Sequence, residues 1–324
     1  MPRPIPTGGL HPEITLPHDE EWELYHNSFS LCSKKVRICL AELGLAYHGH
    51  PIHLIETGAY ENVSRAFLRV NPAGTVPVLV HQGHPVYESH DQIVYAAERG
   101  SGGDHLLPRD PATRTMIERW VDCASLVGDA TKGTERRAGH CIPGLTFPLF
   151  ATMVRSIPYR EIARGLLTHP NKERPLFFGL LKLRTVHGLP GLTPALRLLQ
   201  RSRAHMGTHL DALAAHLDAQ GGPWIAGERF TLADVSWVVI LDRLVEADWD
   251  DYFWGGGRRP SIAAYWSRLQ ARASYRSEIE GVRSPVTRRG IADLAQAKRS
   301  DPRLRAALED DGTTGKSGAP PISL

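Results

Sequence analysis

An α/β domain followed by an all-helical domain is the fold class that the sequence predicts, on three observations. Apolar runs of strand length alternate with helix-patterned segments from Trp22 to Gly100. From Asp110 onward the strand signals fade, and apolar residues recur at three- and four-residue spacing. Between these stretches Gly102-Gly103 and Pro108 break the pattern, which places the boundary at 100–109. With 324 residues the chain is long enough for two cores.

The first strand begins near Glu21 and holds Leu24 and Tyr25. In the helix that follows, Val36, Cys39, Leu40 and Leu43 make one buried stripe, and Gly44 is suited to the C-cap. A second strand is expected over 46–54, with Pro51 at an edge or bulge. A helix is expected over 61–70, ending before Asn71-Pro72. Val76-Pro77-Val78-Leu79-Val80 and Val86-Tyr87 flank a tight turn at Gly83 and read as a hairpin. Ser89 opens a further helix that runs through Ile93, Ala96 and Ala97.

In the second half, Met116, Ile117, Trp120, Val121 and Ala124 mark one amphipathic helix. Met206, Leu210, Leu213 and Leu217 mark another, preceded by Leu196 and Leu199. Thr231-Leu232-Ala233-Asp234 is a capping box, assigned to folding alone, and it opens a nearly all-apolar helix over 235–245. The last substantial helix is expected over 262–271. The organisation expected is a flexible extension at 1–20, an α/β domain at 21–101, and a helical domain at 110–282. That helical domain carries a Gly-, Pro- and Arg-rich insert at 131–192, with scattered helical pieces at 149–154 and 177–183. The tail at 283–324 reads as mostly disordered.

Bulk composition excludes several classes. The 38 basic and 35 acidic residues are interspersed and leave a net charge of +3, so no nucleic-acid footprint is expected. Cysteines at 32, 39, 123 and 141 do not make a disulfide framework in a chain this long. The longest apolar stretches, near 235–241, are too short to span a bilayer, and 1–20 lacks a secretory pattern. A cytoplasmic location is the expectation. Pairs such as His48/His50 and His81/His84 lack a third ligand, so no metal site is expected.

The stretch with chemistry in it is Ser30-Leu31-Cys32-Ser33, where a strand turns into a helix. Unpaired N–H groups and the positive end of the helix dipole favour a thiolate there, and Lys34, Lys35 and Arg37 follow closely. The plainer alternative makes Cys32 a small buried hydrophobe and Ser30 an N-cap. The position three after Cys32 is Lys35, not cysteine, which argues against an intramolecular dithiol mechanism. Cys39 falls on the buried face, and Trp120 is assigned to packing. Ser89-His90-Asp91-Gln92 reads as a capping box, although a helix start there also suits an anion.

These residues carry a family resemblance. Ser30-Leu31-Cys32-Ser33 with Val36-Arg37, then Asn71-Pro72, Val76-Pro77-Val78-Leu79, Glu88-Ser89 and Thr231-Leu232-Ala233-Asp234 resemble the cytosolic glutathione transferase superfamily. The Ser-x-Cys-Ser pattern is similar to zeta-class members. It is closer to glutathione-dependent reductive dehalogenases of chlorinated hydroquinones, which Ala233-Asp234-Val235-Ser236-Trp237 also resembles. The insert is similar to those of bacterial β-etherases and a ganglioside-induced differentiation protein group.

The resemblance implies a thioredoxin-like first domain that binds glutathione as co-substrate. It implies Cys32 and Ser30 as catalytic residues. Val76 and a cis Pro77 would pair with the cysteinyl backbone of glutathione, while Glu88 and Ser89 would hold its γ-glutamyl end. The activity implied is a glutathione transferase of the conjugating type, acting on a small hydrophobic or aromatic electrophile held by the helical domain, in a homodimer. The alternatives are a Cys-dependent lyase or reductase, and a non-catalytic relative whose basic insert meets a partner or membrane. For the insert, extra helices lengthening the pocket wall are preferred over membrane contact.

Overall fold

A computed structural model describes residues 6–100, 102–129, 132–168 and 172–310. In chain order the first part contains β1 (Gly9–Leu10), β2 (Trp22–His26), α1 (Leu31–Glu42), β3 (His48–Pro51) and α2 (Phe67–Val70). It continues with β4 (Val78–His81), β5 (His84–Tyr87) and α3 (Ser89–Arg99). The strands form one mixed sheet in the order β1-β5-β4-β2-β3. Only β2 and β3 run parallel, and Leu24 stands opposite both Gly49 and Leu79. Successive side chains leave a strand on opposite faces. Accordingly Leu79 joins Leu24, Leu40 and Ile93 in the main core, while Val78 and Val80 join Leu16, Ile52 and Phe67 on the other face.

Three expectations for this domain are corrected. The helix over 61–70 shrinks to one short 3₁₀ turn at Glu61–Val63 and the four-residue α2. The Asn62 side-chain amide donates to the Gly74 carbonyl, and Ser64 Oγ accepts from Phe67 N–H. Such local side-chain bonds compete with helix formation. The second strand pairs only over β3, with Pro51 at its end on the sheet edge. The extension is not a loose leader over its described part. β1 pairs with β5, Leu16 N–H donates to the Gly83 carbonyl, and Leu16 is buried. A Cβ at Gly8 would stand 2.1 Å from Asp91 Oδ2, so any side chain there would have to displace the Asp91 carboxylate at the start of α3. Residues 1–5 lie outside the described part.

The second part holds α4 (Pro111–Cys123), α5 (Ala138–Met153), α6 (Tyr159–Thr168), α7 (Glu173–Arg184) and α8 (Thr193–Gln220). After these come α9 (Leu232–Glu246), α10 (Asp250–Phe253), α11 (Pro260–Gln270), α12 (Ala273–Tyr275), α13 (Pro285–Ser300) and α14 (Pro302–Glu309). The central α9 is buried along nearly its whole length and opens on the capping box. Asp234 accepts there from Thr231 N–H at 2.8 Å, Ile225 N–H at 3.0 Å and the Tyr265 hydroxyl at 2.8 Å.

The insert is more regular than its composition suggested, because α5, α6 and α7 account for most of it. Pro143 and Pro148 lie inside α5. Each follows a glycine by four residues, Gly139 and Gly144, where the backbone can adjust to a proline ring. The disordered-tail expectation is overturned as far as residue 310. Leu294, Leu304 and Leu308 are fully buried, and a Cβ at Gly290 would stand 2.4 Å from Met153 Cγ. Small residues bring α13 against α5, so few large apolar side chains were there to be read. Residues 311–324 lie outside the described part.

A buried ion network joins the domains. Lys34 Nζ sits 2.7 Å from both Asp242 and Glu246, and Arg283 reaches the same two carboxylates at 2.7 and 3.0 Å. Burial opposes ionisation of Glu246, but Lys34, Arg243 and Arg283 hold its carboxyl down at about 2. Nearby, Arg37 donates to the carbonyls of Asn27 and Glu278 and faces His26 Nδ1 at 3.3 Å.

Burial, and then the Arg37 charge, push the His26 pKa down to about 4. Below its ordinary value of 6.5 the unfolded chain binds a proton at His26 that the native state refuses until about pH 4. Stability from this residue is therefore full above pH 6.5 and is lost on acidification across that window. The expected loss is about 2–3 kcal/mol. Denaturant titrations at pH 7 and pH 4 check it: His26→Gln should show a correspondingly smaller difference, and an equal difference would sink the assignment.

Candidate active site

The turn between β2 and α1 is shaped by Asn27. Its Oδ1 accepts from Phe29 and Ser30 N–H, and its Nδ2 donates to the Ile52 carbonyl at 2.8 Å. Ser30 is the N-cap of α1 and accepts from Ser33 N–H at 3.3 Å. Cys32 therefore occupies the second helical position, half-buried, at the positive end of the helix dipole. It lines a cavity of about 300 Å³ together with Val76, Pro77, Glu88, Ser89 and Val127. The Val76–Pro77 bond is cis.

Glu88 holds a φ of 63°, a left-handed value that few side chains other than glycine adopt. It stands at the N-cap of α3, and no side chain caps that helix. The capping box expected at Ser89-His90-Asp91-Gln92 does not form, since Ser89 is already the first helical residue. The Gln92 amide instead donates to the carbonyls of Pro77 and Val86 at 3.0 and 2.8 Å. Within the described residues the Ser89 hydroxyl makes no hydrogen bond. The helix start thus faces the cavity with its N–H groups open to an anion.

Five of the six site residues taken from the sequence meet at this cavity: Cys32, Val76, Pro77, Glu88 and Ser89. Ser30 is not on its wall, and its hydroxyl serves the helix cap. The cluster of cations anticipated around Cys32 is also thinner than its spacing implied. Lys34 turns to α9, and Arg37 to Asn27 and Glu278, which leaves Lys35. Asn27 and Gln92 were missed. The Asn-x-Phe-Ser order at 27–30 was the available signal for the first, because an asparagine three residues before a helix N-cap folds the chain into such turns.

A second cavity, of about 500 Å³, lies between α5, α7 and the start of α8. Its walls are apolar, with Phe147, Phe150, Phe177, Leu180 and Leu198 among them. The Phe150 ring packs on Phe29, 5.8 Å away, just before the Cys32 turn. Trp120 is buried against Trp237 and lines neither cavity. Among the described residues no group of three or more His, Cys, Asp or Glu side chains is placed to hold a metal ion.

Comparison with known proteins agrees with this architecture. The family model for the glutathione S-transferase N-terminal domain matches residues 29–99, and that for the glutathione S-transferase C-terminal domain matches 197–268. Residues 29–99 and 197–268 are thus glutathione S-transferase domains, N-terminal and C-terminal. The first match spans the Cys32 turn, cis Val76–Pro77 and Glu88-Ser89; the second spans the capping box of α9. The chain is 27% identical over 256 residues to the tetrachloro-p-hydroquinone reductive dehalogenase of Sphingobium chlorophenolicum, covering 79% of this chain and 94% of that one. It is 26% identical over 298 residues to the 2,5-dichlorohydroquinone reductive dechlorinase of Sphingobium indicum, covering 81% and 83%. The solved beta-etherase of Sphingobium sp. strain SYK-6 shares the fold, with a TM-score of 0.61 at 21% identity over 81% of this chain and all of that one. The chain has a thioredoxin-like domain and a helical domain. No helix among its described residues is long and apolar enough to cross a membrane.

Proposed function

We propose that this protein binds glutathione in the Cys32 cavity and activates its thiol for attack on a small hydrophobic or aromatic electrophile. What carries the reading is the meeting of Cys32, cis Val76–Pro77 and the uncapped start of α3 in one cavity of about 300 Å³. Val76 would pair its backbone with the cysteinyl unit of the tripeptide, in the manner of an added strand. Ser89 and the α3 N–H groups would take the γ-glutamyl carboxylate, and Glu88 the adjacent ammonium. The glutathione sulfur then lies at the positive end of α1, where a thiolate is favoured. It forms a bond to the electrophilic carbon while the leaving group departs with its electron pair.

A second step is favoured by the position of Cys32 on the cavity wall, where Ser30 is not, and by the names of the dehalogenase relatives. Cys32 as thiolate attacks the sulfur of the bound conjugate and forms a mixed disulfide with glutathione. The carbon leaves with the electron pair and takes up a proton. A second glutathione then attacks the disulfide, releasing oxidised glutathione and the Cys32 thiolate. The net change is reductive: one carbon–halogen bond becomes carbon–hydrogen, and two glutathiones become one disulfide.

Titration calorimetry tests the binding half of this reading. Glutathione should bind the wild type, and Ser89→Ala should weaken it about tenfold or more, the worth of one hydrogen bond to a charged group. No detectable heat with the wild type at millimolar glutathione would overturn it.

A further inference from the structure

We propose that Lys35 is the positioning cation for a sulfur anion at Cys32, an assignment that rests on Cys32 being the reactive thiol of the cavity. Three neighbouring cations on α1 have different fates. Lys34 and Arg37 are neutralised or hydrogen-bonded by residues of the second part of the chain. Lys35 is as deeply buried as Lys34, at 1% exposure, yet within the described residues it makes no hydrogen bond and no ion pair.

Its place on the helix says where the ammonium goes. Lys35 is three residues after Cys32, on the same face, and helical side chains lean toward the N-terminus. The stem therefore runs back along α1 toward the cavity, in the seam against α3. The charged groups that act on Lys35 are consistent with this, with Cys32 first, then Glu88 and Asp91 at the start of α3. Burial pushes the Lys35 pKa down, as expected of an ammonium that lacks a settled counter-charge.

A buried ammonium without a partner is costly, and an apolar residue of equal length would fill the seam without that cost. The missing counter-charge is supplied when sulfur beside it ionises. A thiolate at Cys32, or the sulfur bound against it, completes the pair. Lys35 acts through the neighbouring sulfur and need not touch substrate.

The test uses the full-length protein without glutathione. Alkylation of Cys32 by iodoacetamide is followed by mass spectrometry of its peptide, with Cys32→Ser as the blank. Lys35→Met should react about tenfold more slowly than wild type at pH 7, and the gap between the two should close as the pH is raised. Lys35→Arg, which keeps the charge, should stay within about threefold of wild type throughout. Should Lys35→Met fail to fold, Lys35→Gln carries the same expectation. Superimposable profiles for wild type and the uncharged variant would overturn the assignment, even if the thermal midpoint changed. Glutathione affinity is measured in parallel. A shifted profile in a protein that does not bind glutathione would uphold Lys35 and overturn the proposed function.

Discussion

On the reductive route proposed above, Cys32→Ser is expected to halt the reaction with a halogenated aromatic electrophile at its glutathionyl conjugate, and release of dehalogenated product should fall by about 10³-fold or more. Serine keeps the size of the side chain and the helix start. It offers no thiolate, and an alcohol is far too weakly acidic to attack a thioether sulfur. The conjugating step depends instead on the glutathione thiol and the positive end of α1, both of which the substitution leaves in place. That step should fall by no more than about tenfold. Chromatography with mass detection distinguishes conjugate from reduced product in a single time course. Continued formation of reduced product by Cys32→Ser would remove the disulfide step and leave a conjugating transferase.

Asp242→Ala is expected to cost about 3–5 kcal/mol, the usual result of breaking a buried ion pair from one side. Asp242 is fully buried and accepts from Lys34 at 2.7 Å, Arg283 at 2.7 Å and the Tyr275 hydroxyl at 2.9 Å. Without it, Lys34 and Arg283 are left to Glu246, which already pairs with Arg243, and positive charge stays buried and underpaired. Urea titration at pH 7 measures the loss, and a change below about 1 kcal/mol would show that the network is not holding the domains together. Because Lys34 is one residue before Lys35 on α1, the variant should also loosen the helix that presents Cys32.

Where residue pattern and local geometry agree, the fold was legible. The hairpin around Gly83, the stripe Val36, Cys39, Leu40 and Leu43, and the Thr231–Asp234 box were all readable, because each is set within a few residues. Failures came where distant partners decide. Asn62 and Ser64 spend their hydrogen bonds on the backbone and break the 61–70 helix. Pro143 and Pro148 concealed α5, and Gly290 and Ala297 concealed the packing of α13, since small residues leave no apolar signature.

The site divided in the same way. The motif at 30–33 and the pair Glu88-Ser89 stood out as residue types in order. That Ser30 caps, that Ser89 lies inside α3, and that Lys34 and Arg37 turn away to other partners all depend on helix phase and on the second part of the chain. One residue of shift in the start of α3 turned a closed capping box into an open helix end.

Arg203, on α8, donates to the carbonyls of Leu308 and Asp310, while Thr152 of α5 donates to the carbonyl of Gly290. The final two helices are thereby fastened to both long helices of the second part. A shortened gene product that stopped near residue 283 would strip the cover from Leu149 and Met153, leaving oily surface ready to clump. Anyone trimming this chain for crystals should cut beyond Asp310, not before Ser284.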